Sequence, residues 1–159
     1  SLIGHLARAN AHWKLFERPA ESLALLWGPH AYVSPTWYTP GAKVPTWNYV
    51  AVHLAGTARV LDAAEMLGVV DRLSANFEAR LAPKKPWISD KMTPTKREAM
   101  LRAIVGIEMT VSKVEASFKL GQHKSPADQA GAIAAIETLG TPQALAYLET
   151  WRVWRAKQA

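Results

Sequence analysis

The stretch Trp47–Val60, WNYVAVHLAGTARV, carries the longest strand pattern in the chain. Every second side chain is apolar, and the positions between them are mostly polar or aromatic: one face holds Val50, Val52, Leu54, Ala58 and Val60, and the other holds Tyr49, His53, Thr57 and Arg59. This alternation is typical of an antiparallel sheet with one buried face. Gly56 interrupts the apolar row and indicates a bend or bulge, which helps a sheet to coil into a barrel.

Shorter patterns predict further strands on both sides of this stretch. Residues 2–8 read as a strand, followed by a short helix over 11–16, and Ser22–Trp27 reads as another strand that Gly28-Pro29 ends. Tyr32–Ser34 predicts a short strand. A second long alternating run extends from Val105 to Leu120.

Helices are predicted between and after these strands. Asp62, with Glu65 three residues later, is typical of a capping box at the start of a helix that Pro83 ends. A second helix starts at Thr93-Pro94, and two C-terminal helices start at Ser125-Pro126 and Thr141-Pro142 with Gly140 between them. Strands with inserted and terminal helices favour an antiparallel α+β fold over strict βαβ alternation.

Composition sets the broad class. The chain has 159 residues, which predicts one domain over 1–159 with C-terminal helices over 125–156. Cysteine is absent, which excludes a disulfide scaffold and thiolate chemistry and favours the reducing cytoplasm. No apolar run approaches the ~20 residues of a membrane span, so no membrane association is expected.

Positive charge is concentrated in one segment of the chain. The net charge is +6, and residues 84–102 hold six basic side chains against Asp90 and Glu98. Such a segment attracts phosphate or DNA, although charge runs are usually solvated surface. The sequence therefore leaves DNA binding open and predicts only weak, non-specific contact.

Four segments resemble one family, the PaiB-type FMN-binding proteins that are often labelled negative transcriptional regulators. The segments are Gly4–Asn10 (GHLARAN), Trp27–Tyr38 (WGPHAYVSPTWY), Val44–His53 (VPTWNYVAVH) and Phe118–Gln122 (FKLGQ). The resemblance implies an antiparallel Greek-key split β-barrel that forms a homodimer with FMN at the subunit interface. Members of the family normally carry two more strands before the first segment, so the chain is expected to be incomplete at its N-terminal side.

The resemblance also implies residues for the FMN phosphate. Arg8 and Asn10 lie where the first strand gives way to a loop, which faces the phosphate in split-barrel flavoproteins. A guanidinium presents a planar fork of donors that suits phosphate oxygens. No glycine-rich phosphate loop is present elsewhere.

Four further residues are predicted to contact the flavin ring. Trp47 is expected to pack on the ring and Asn48 to hydrogen-bond its carbonyls. Lys119 is expected near N1 and O2, where it would stabilise the reduced ring, and Gln122 lies beside it. The family pattern there is Trp-Lys-Leu-Ser-Gln-Asn, and this chain has Phe118, Gly121 and His123 at the three positions that differ.

Other readings stay open at this point. No catalytic or metal-binding signature is found, and the function is either regulation, a small flavin-dependent oxidoreductase related to pyridoxamine-phosphate oxidases, or a flavin-free interaction protein. Residues Trp27–Tyr32 receive no role. Trp151 and Trp154 share a helix face and are expected to dock on the core.

Overall fold

The computed structural model describes residues 1–41 and 43–158. Its four strands are β1 (Leu2–Ala7), β2 (Ala20–Val33), β3 (Thr46–Val60) and β4 (Ile104–Lys119). Its four α-helices are α1 (Ala63–Glu78), α2 (Pro94–Arg102), α3 (Pro126–Leu139) and α4 (Pro142–Ala156). Short 3-10 turns cover Ala11–Phe16, Pro35–Trp37, Ala79–Leu81 and Ser89–Lys91.

The four strands form one sheet in the order β1-β4-β3-β2. β1 pairs antiparallel with β4, in a register that runs from Leu2 opposite Met109 to Ala7 opposite Ile104. β2, β3 and β4 are neighbours in sequence order, and β1 lies on the far side of β4, which is Greek-key order. The predicted antiparallel α+β class is confirmed.

The chain forms two compact units, and three of the strands contribute to both. The first unit comprises Ser1–Leu23 and Ala55–Lys113, and the second comprises Ala24–Leu54 and Val114–Ala159. In the first unit, Leu61, Met66 and Val69 form the core where α1 begins. Gly106 leaves room for this core, because a Cβ at that position would lie 2.6 Å from the Met66 sulfur and would force that side chain to shift.

The second unit has the larger core. Its fully buried side chains include Val33, Leu120, Ile136 and Leu148. Trp151 is buried among them and Trp154 packs against them, so the predicted docking of these indoles is confirmed. Their burial leaves this part of α4 with a structural role.

The predicted helix starts are confirmed. The Asp62 side chain accepts from Glu65 N–H and the Glu65 side chain accepts from Asp62 N–H, which completes the capping box. Thr93, Ser125 and Thr141 cap the other helices, each followed by proline at the first helical position.

The prediction that Gly28-Pro29 ends a strand is wrong. β2 continues through both residues to Val33, and its alternation shifts there: Leu25 and Trp27 are exposed before the pair, and Tyr32 is exposed after it. Gly56 lies against a neighbouring strand, because a Cβ there would approach the Thr110 carbonyl oxygen to 2.0 Å. No helix among the described residues has the length and apolarity to cross a membrane.

Candidate functional site

The six residues predicted from the sequence fall in different units. Arg8 and Asn10 belong to the first unit, and the other four, Trp47, Asn48, Lys119 and Gln122, belong to the second. The contact of all six with a ligand stays a prediction.

Arg8 caps a helix in the first unit. Its Nε donates to the Arg102 carbonyl at 2.7 Å and its Nη2 donates to the Ile104 carbonyl at 3.2 Å, just after α2 ends. The guanidinium also lies 5.5 Å from the Trp13 ring centroid. Because a guanidinium has five N–H donors, Arg8 retains donors for an anion after these two bonds. It lines a mostly apolar cavity of about 310 Å³ that Trp13 and Met66 also line.

Asn10 has a local role in the same unit. Its Oδ1 accepts from His12 N–H at 3.0 Å and caps the turn over Ala11–Phe16. This bond uses the side-chain oxygen, so the amide nitrogen is the group that remains to act as a donor.

Trp47 belongs to an exposed cluster of rings on β2 and β3, which we call the aromatic wall. The wall consists of Trp27, His30, Tyr32, Trp47 and Tyr49. Trp27 stacks on Tyr49 with centroids 5.2 Å apart, and Trp47 contacts His30 at 5.7 Å and Tyr32 at 5.8 Å. Trp27 and Trp47 are 58% and 55% exposed, respectively, so the wall presents broad aromatic surface to a ligand or partner.

Lys119 places a positive charge at this wall. Its Nζ lies 6.0 Å from the Tyr49 ring centroid and donates to Thr46 Oγ1 at 2.7 Å. Thr46 directly precedes Trp47, so the ammonium is tied to the start of the strand that carries the wall. An ammonium over an aromatic face is itself a favourable contact.

The Asn48 side chain lies on the face of β3 opposite to that of Trp47. Consecutive side chains on a strand face opposite sides, and Asn48 is buried while Trp47 is exposed. Asn48 Nδ2 donates to Tyr147 Oη at 3.0 Å, and that hydroxyl donates to the Leu120 carbonyl at 3.0 Å. Burial raises the pKa of Tyr147 to about 12, so the phenol stays a donor.

Gln122 completes the hydrogen bonding around Leu120. Its Oε1 accepts from Leu120 N–H at 2.8 Å and its Nε2 donates to the Phe118 carbonyl at 2.7 Å. Gln122 directly, and Asn48 through the Tyr147 hydroxyl, therefore anchor the end of β4 by hydrogen bonds. This end of the strand carries Lys119, so both residues position the charge at the wall.

A partly buried ion pair, with Asp128 as its buried member, holds the segment before β3. Asp128 on α3 accepts from Lys43 Nζ at 2.7 Å with each carboxylate oxygen, and from the N–H and hydroxyl of Thr39. The bonds from Lys43 and Thr39 lower the pKa of Asp128 well below its usual range. Burial, with the nearby Asp128 charge, raises the pKa of Tyr38. We call this group the Lys43–Asp128 clamp.

Sequence reasoning missed four of the five wall residues as functional candidates. Trp27, His30 and Tyr32 lie beside Trp47 and Tyr49 because β2 continues through Gly28-Pro29 next to β3. The signal was the density of aromatic residues on both sides of this pair. Within residues 1–41 and 43–158, no three His, Asp or Glu side chains are grouped to hold a metal ion.

The antiparallel sheet with its Greek-key order is the fold against which comparisons with known proteins can be set. A family model described as "Putative FMN-binding domain" matches residues 1–113. The chain therefore belongs to this FMN-binding family and is of the PaiB type, as its motifs predicted, and FMN is the cofactor of the family.

Individual relatives support the same assignment. The chain is 34% identical over 143 residues to Protease synthase and sporulation protein PAI 2 of Bacillus subtilis (strain 168). This match covers 90% of this chain and 68% of that protein. It is 29% identical over 169 residues to Uncharacterized protein AN0679 of Emericella nidulans. This match covers 88% of this chain and 67% of that protein.

One solved structure shares the fold. The FAD and heme binding protein from Mycobacterium smegmatis superposes with a TM-score of 0.53 at 14% identity, over 82% of this chain and 58% of that one. The predicted split-barrel fold class is confirmed.

Proposed function

We propose that this protein is an FMN-binding negative regulator of gene expression that acts as a homodimer in a reducing, cytoplasmic compartment. The aromatic wall beside Lys119 is the observation that carries the flavin part of this proposal. Membership of the PaiB type and the similarity to a protein named for protease synthesis and sporulation support the regulatory part.

The residues of the wall suit the chemistry of the ligand. A flavin ring is planar, apolar on its faces and rich in acceptors at its pyrimidine edge. Exposed Trp27 and Trp47 offer stacking surface, and Lys119 offers a positive charge for the electrons that the reduced ring holds. Arg8, with donors left after capping α2, is the proposed anchor of the phosphate, with Asn10 beside it.

Homodimerisation is supported by exposure at the end of β4. Every residue of the segment Val114–Lys119 is exposed, including the apolar Val114 at 62% and Phe118 at 44%. Exposed apolar strand surface is typical of an interface, and a second copy is the proposed partner.

Direct DNA reading is not proposed. Three of the six basic residues in 84–102 have acidic partners: Lys84 pairs with Glu78, Arg97 with Asp90 and, at 3.9 Å, Arg102 with Glu98. These pairs reduce the charge available to phosphates. We expect weak DNA binding that falls steeply as salt rises, because phosphate neutralisation releases counterions.

Two measurements test the proposal. FMN titrated into purified protein should lose fluorescence as it stacks on the wall, and Trp47→Ala should weaken binding, whereas Trp87→Phe in the first unit should not. In the native host, deleting the gene should raise target transcripts, and the parent gene should restore repression better than Trp47→Ala. A parent protein that binds no FMN contradicts the flavin part. Unchanged transcripts with steady nicotinamide oxidation by the purified protein would assign an enzyme instead.

A further inference from the structure

His30 occupies the middle of the aromatic wall and has an unusual set of partners. Its Nδ1 lies 3.0 Å from Trp27 Nε1 and 3.0 Å from Gln143 Nε2, both donors, and at a longer 3.4 Å from the Gly28 carbonyl oxygen. The ring contacts Trp27 at 6.0 Å and Trp47 at 5.7 Å between centroids. Within the described part of the chain, the second ring nitrogen, Nε2, has no hydrogen-bond partner.

These contacts decide which nitrogen carries the proton. An indole N–H can only donate, so Nδ1 must accept the bond from Trp27. In the neutral ring the proton then lies on Nε2. The Gln143 amide nitrogen, also only a donor, lies near the same lone pair as an alternative partner and favours the same tautomer. In this neutral form, His30 presents its Nε2–H as a donor within the exposed aromatic wall.

We propose that His30 Nε2–H donates a hydrogen bond to the pyrimidine edge of a flavin ring that stacks on the aromatic wall, and that Trp27 and Gln143 hold His30 in the tautomer this requires. The inference rests on the proposed binding of FMN and names a residue that hydrogen-bonds to the flavin ring. It adds Trp27, His30 and Gln143 to the predicted Trp47 and Lys119.

Flavin is the ligand class that fits this arrangement. Its pyrimidine edge presents the acceptors O2, O4, N1 and N5, and a neutral donor pairs with one of them while Lys119 supplies charge. A purely apolar partner would leave His30 Nε2–H buried without an acceptor, which is costly. The wall therefore favours a flat ring with acceptors at its edge over a hydrocarbon surface.

The test compares variants that keep or remove the donor. FMN affinity and the midpoint potential of bound FMN are measured for the parent, His30→Gln, His30→Phe and Trp27→Phe, with exposed His123→Gln as the matched control. His30→Phe keeps a ring and removes the N–H, so FMN affinity should fall about three- to ten-fold, the effect of one hydrogen bond. The midpoint potential should fall too, because the lost bond is stronger to the electron-rich reduced ring.

The other variants separate donation from packing. His30→Gln retains an N–H and should recover part of both losses. Trp27→Phe keeps the stack but frees the tautomer, so it should lower the midpoint potential in the same direction. If His30→Phe does not fold, Gln143→Leu on the exposed face of α4 takes its place and should show the same direction of change.

Each remaining outcome overturns the inference. If the parent binds FMN and His30→Phe matches it in affinity and potential, His30 does not contact the ring, while FMN binding stands. If the parent binds no FMN, the proposed function fails as well. If His30→Phe instead lowers the mass in solution and leaves FMN binding unchanged, the wall packs against a second copy.

Discussion

Arg8 has two roles in this protein, one observed in the structure and one proposed. Two of its five N–H groups donate to carbonyls, one at Arg102, where α2 ends, and one at Ile104, where β4 begins. The remaining donors are available to a phosphate. A substitution that removes the whole side chain removes both roles. The two roles are therefore distinguished by comparing a ligand that has a phosphate with one that lacks it.

We predict that Arg8→Ala weakens FMN about ten- to hundred-fold, because a charge-assisted hydrogen bond to phosphate is lost. Riboflavin, which has no phosphate, should bind the variant and the parent almost equally. Titration of both ligands against both proteins measures the difference. Arg80→Ala, which removes one arginine charge from the same unit, is the control and should leave both affinities unchanged.

Arg8→Lys refines this experiment. Lysine keeps the charge but cannot make both carbonyl bonds with a planar fork. FMN affinity retained in Arg8→Lys alongside reduced thermal stability would separate the anchor from the cap. A riboflavin affinity that falls as far as that of FMN in Arg8→Ala would show that the lost affinity is not due to the phosphate.

Neighbouring residues also show what a sequence can and cannot predict at this scale. Trp47 and Asn48 were predicted together as ring contacts because the family motif carries both. Alternation on a strand sends them to opposite faces, and the structure places Asn48 in a buried network with Tyr147 and Leu120. The alternation was readable from the sequence, whereas the phenol partner, 99 residues away, was not.

At the scale of elements, local chemistry was the reliable guide. The capping box at Asp62 and the three cap-proline pairs predicted where helices begin, because those bonds form between residues near in sequence. Gly28-Pro29 misled the strand prediction because neighbouring pairing, which the sequence does not display, carries β2 across the pair. The aromatic wall depends on that continuity.

The Lys43–Asp128 clamp gives a prediction about pH. The pKa of Asp128 is lower in the folded protein than its ordinary value near about 3.9. The clamp therefore contributes its full stability above about pH 5 and loses it as the pH falls below about 4 towards the folded pKa. Asp128→Asn should be less stable than the parent at pH 7, and the gap should narrow with acid.

Urea unfolding at pH 7, 4, 3 and 2 measures this gap. Asp90→Asn is the matched control, because Asp90 also pairs with a basic side chain but is 80% exposed. That variant should differ little from the parent at every pH, since exposed pairs contribute little. If the free energies of unfolding of Asp128→Asn and the parent differ by the same amount at every pH, the proposed contribution of the Lys43–Asp128 clamp is contradicted.

For the whole molecule, composition and motifs predicted the fold class and the family. The pairing of distant strands and charged residues is set by tertiary packing. The excess of positive charge in 84–102 was readable, but the acidic partners Glu78 and Asp90 became visible only in the folded first unit. The position of β1 next to β4, more than ninety residues later in the chain, follows from a non-local pairing that no local pattern encodes.

The exposed end of β4 leads to a prediction about assembly. We expect the parent to have twice its 17.5 kDa chain mass at micromolar concentration, because Val114 and Phe118 present apolar surface that a second copy would cover. Phe118→Glu puts a charge into that surface and should raise the dimer dissociation constant about ten-fold or more, the effect of a central interface residue. Phe77→Glu, at a phenylalanine that is 54% exposed in the first unit, should leave the dimer intact.

Light scattering and sedimentation over a range of concentrations distinguish the outcomes. If FMN is bound between subunits, Phe118→Glu should also bind FMN less tightly at low protein concentration and recover as concentration rises, because mass action restores the dimer. A variant that stays dimeric would place the interface elsewhere. A parent that stays monomeric at every concentration would leave β4 exposed in solution and would contradict the homodimer.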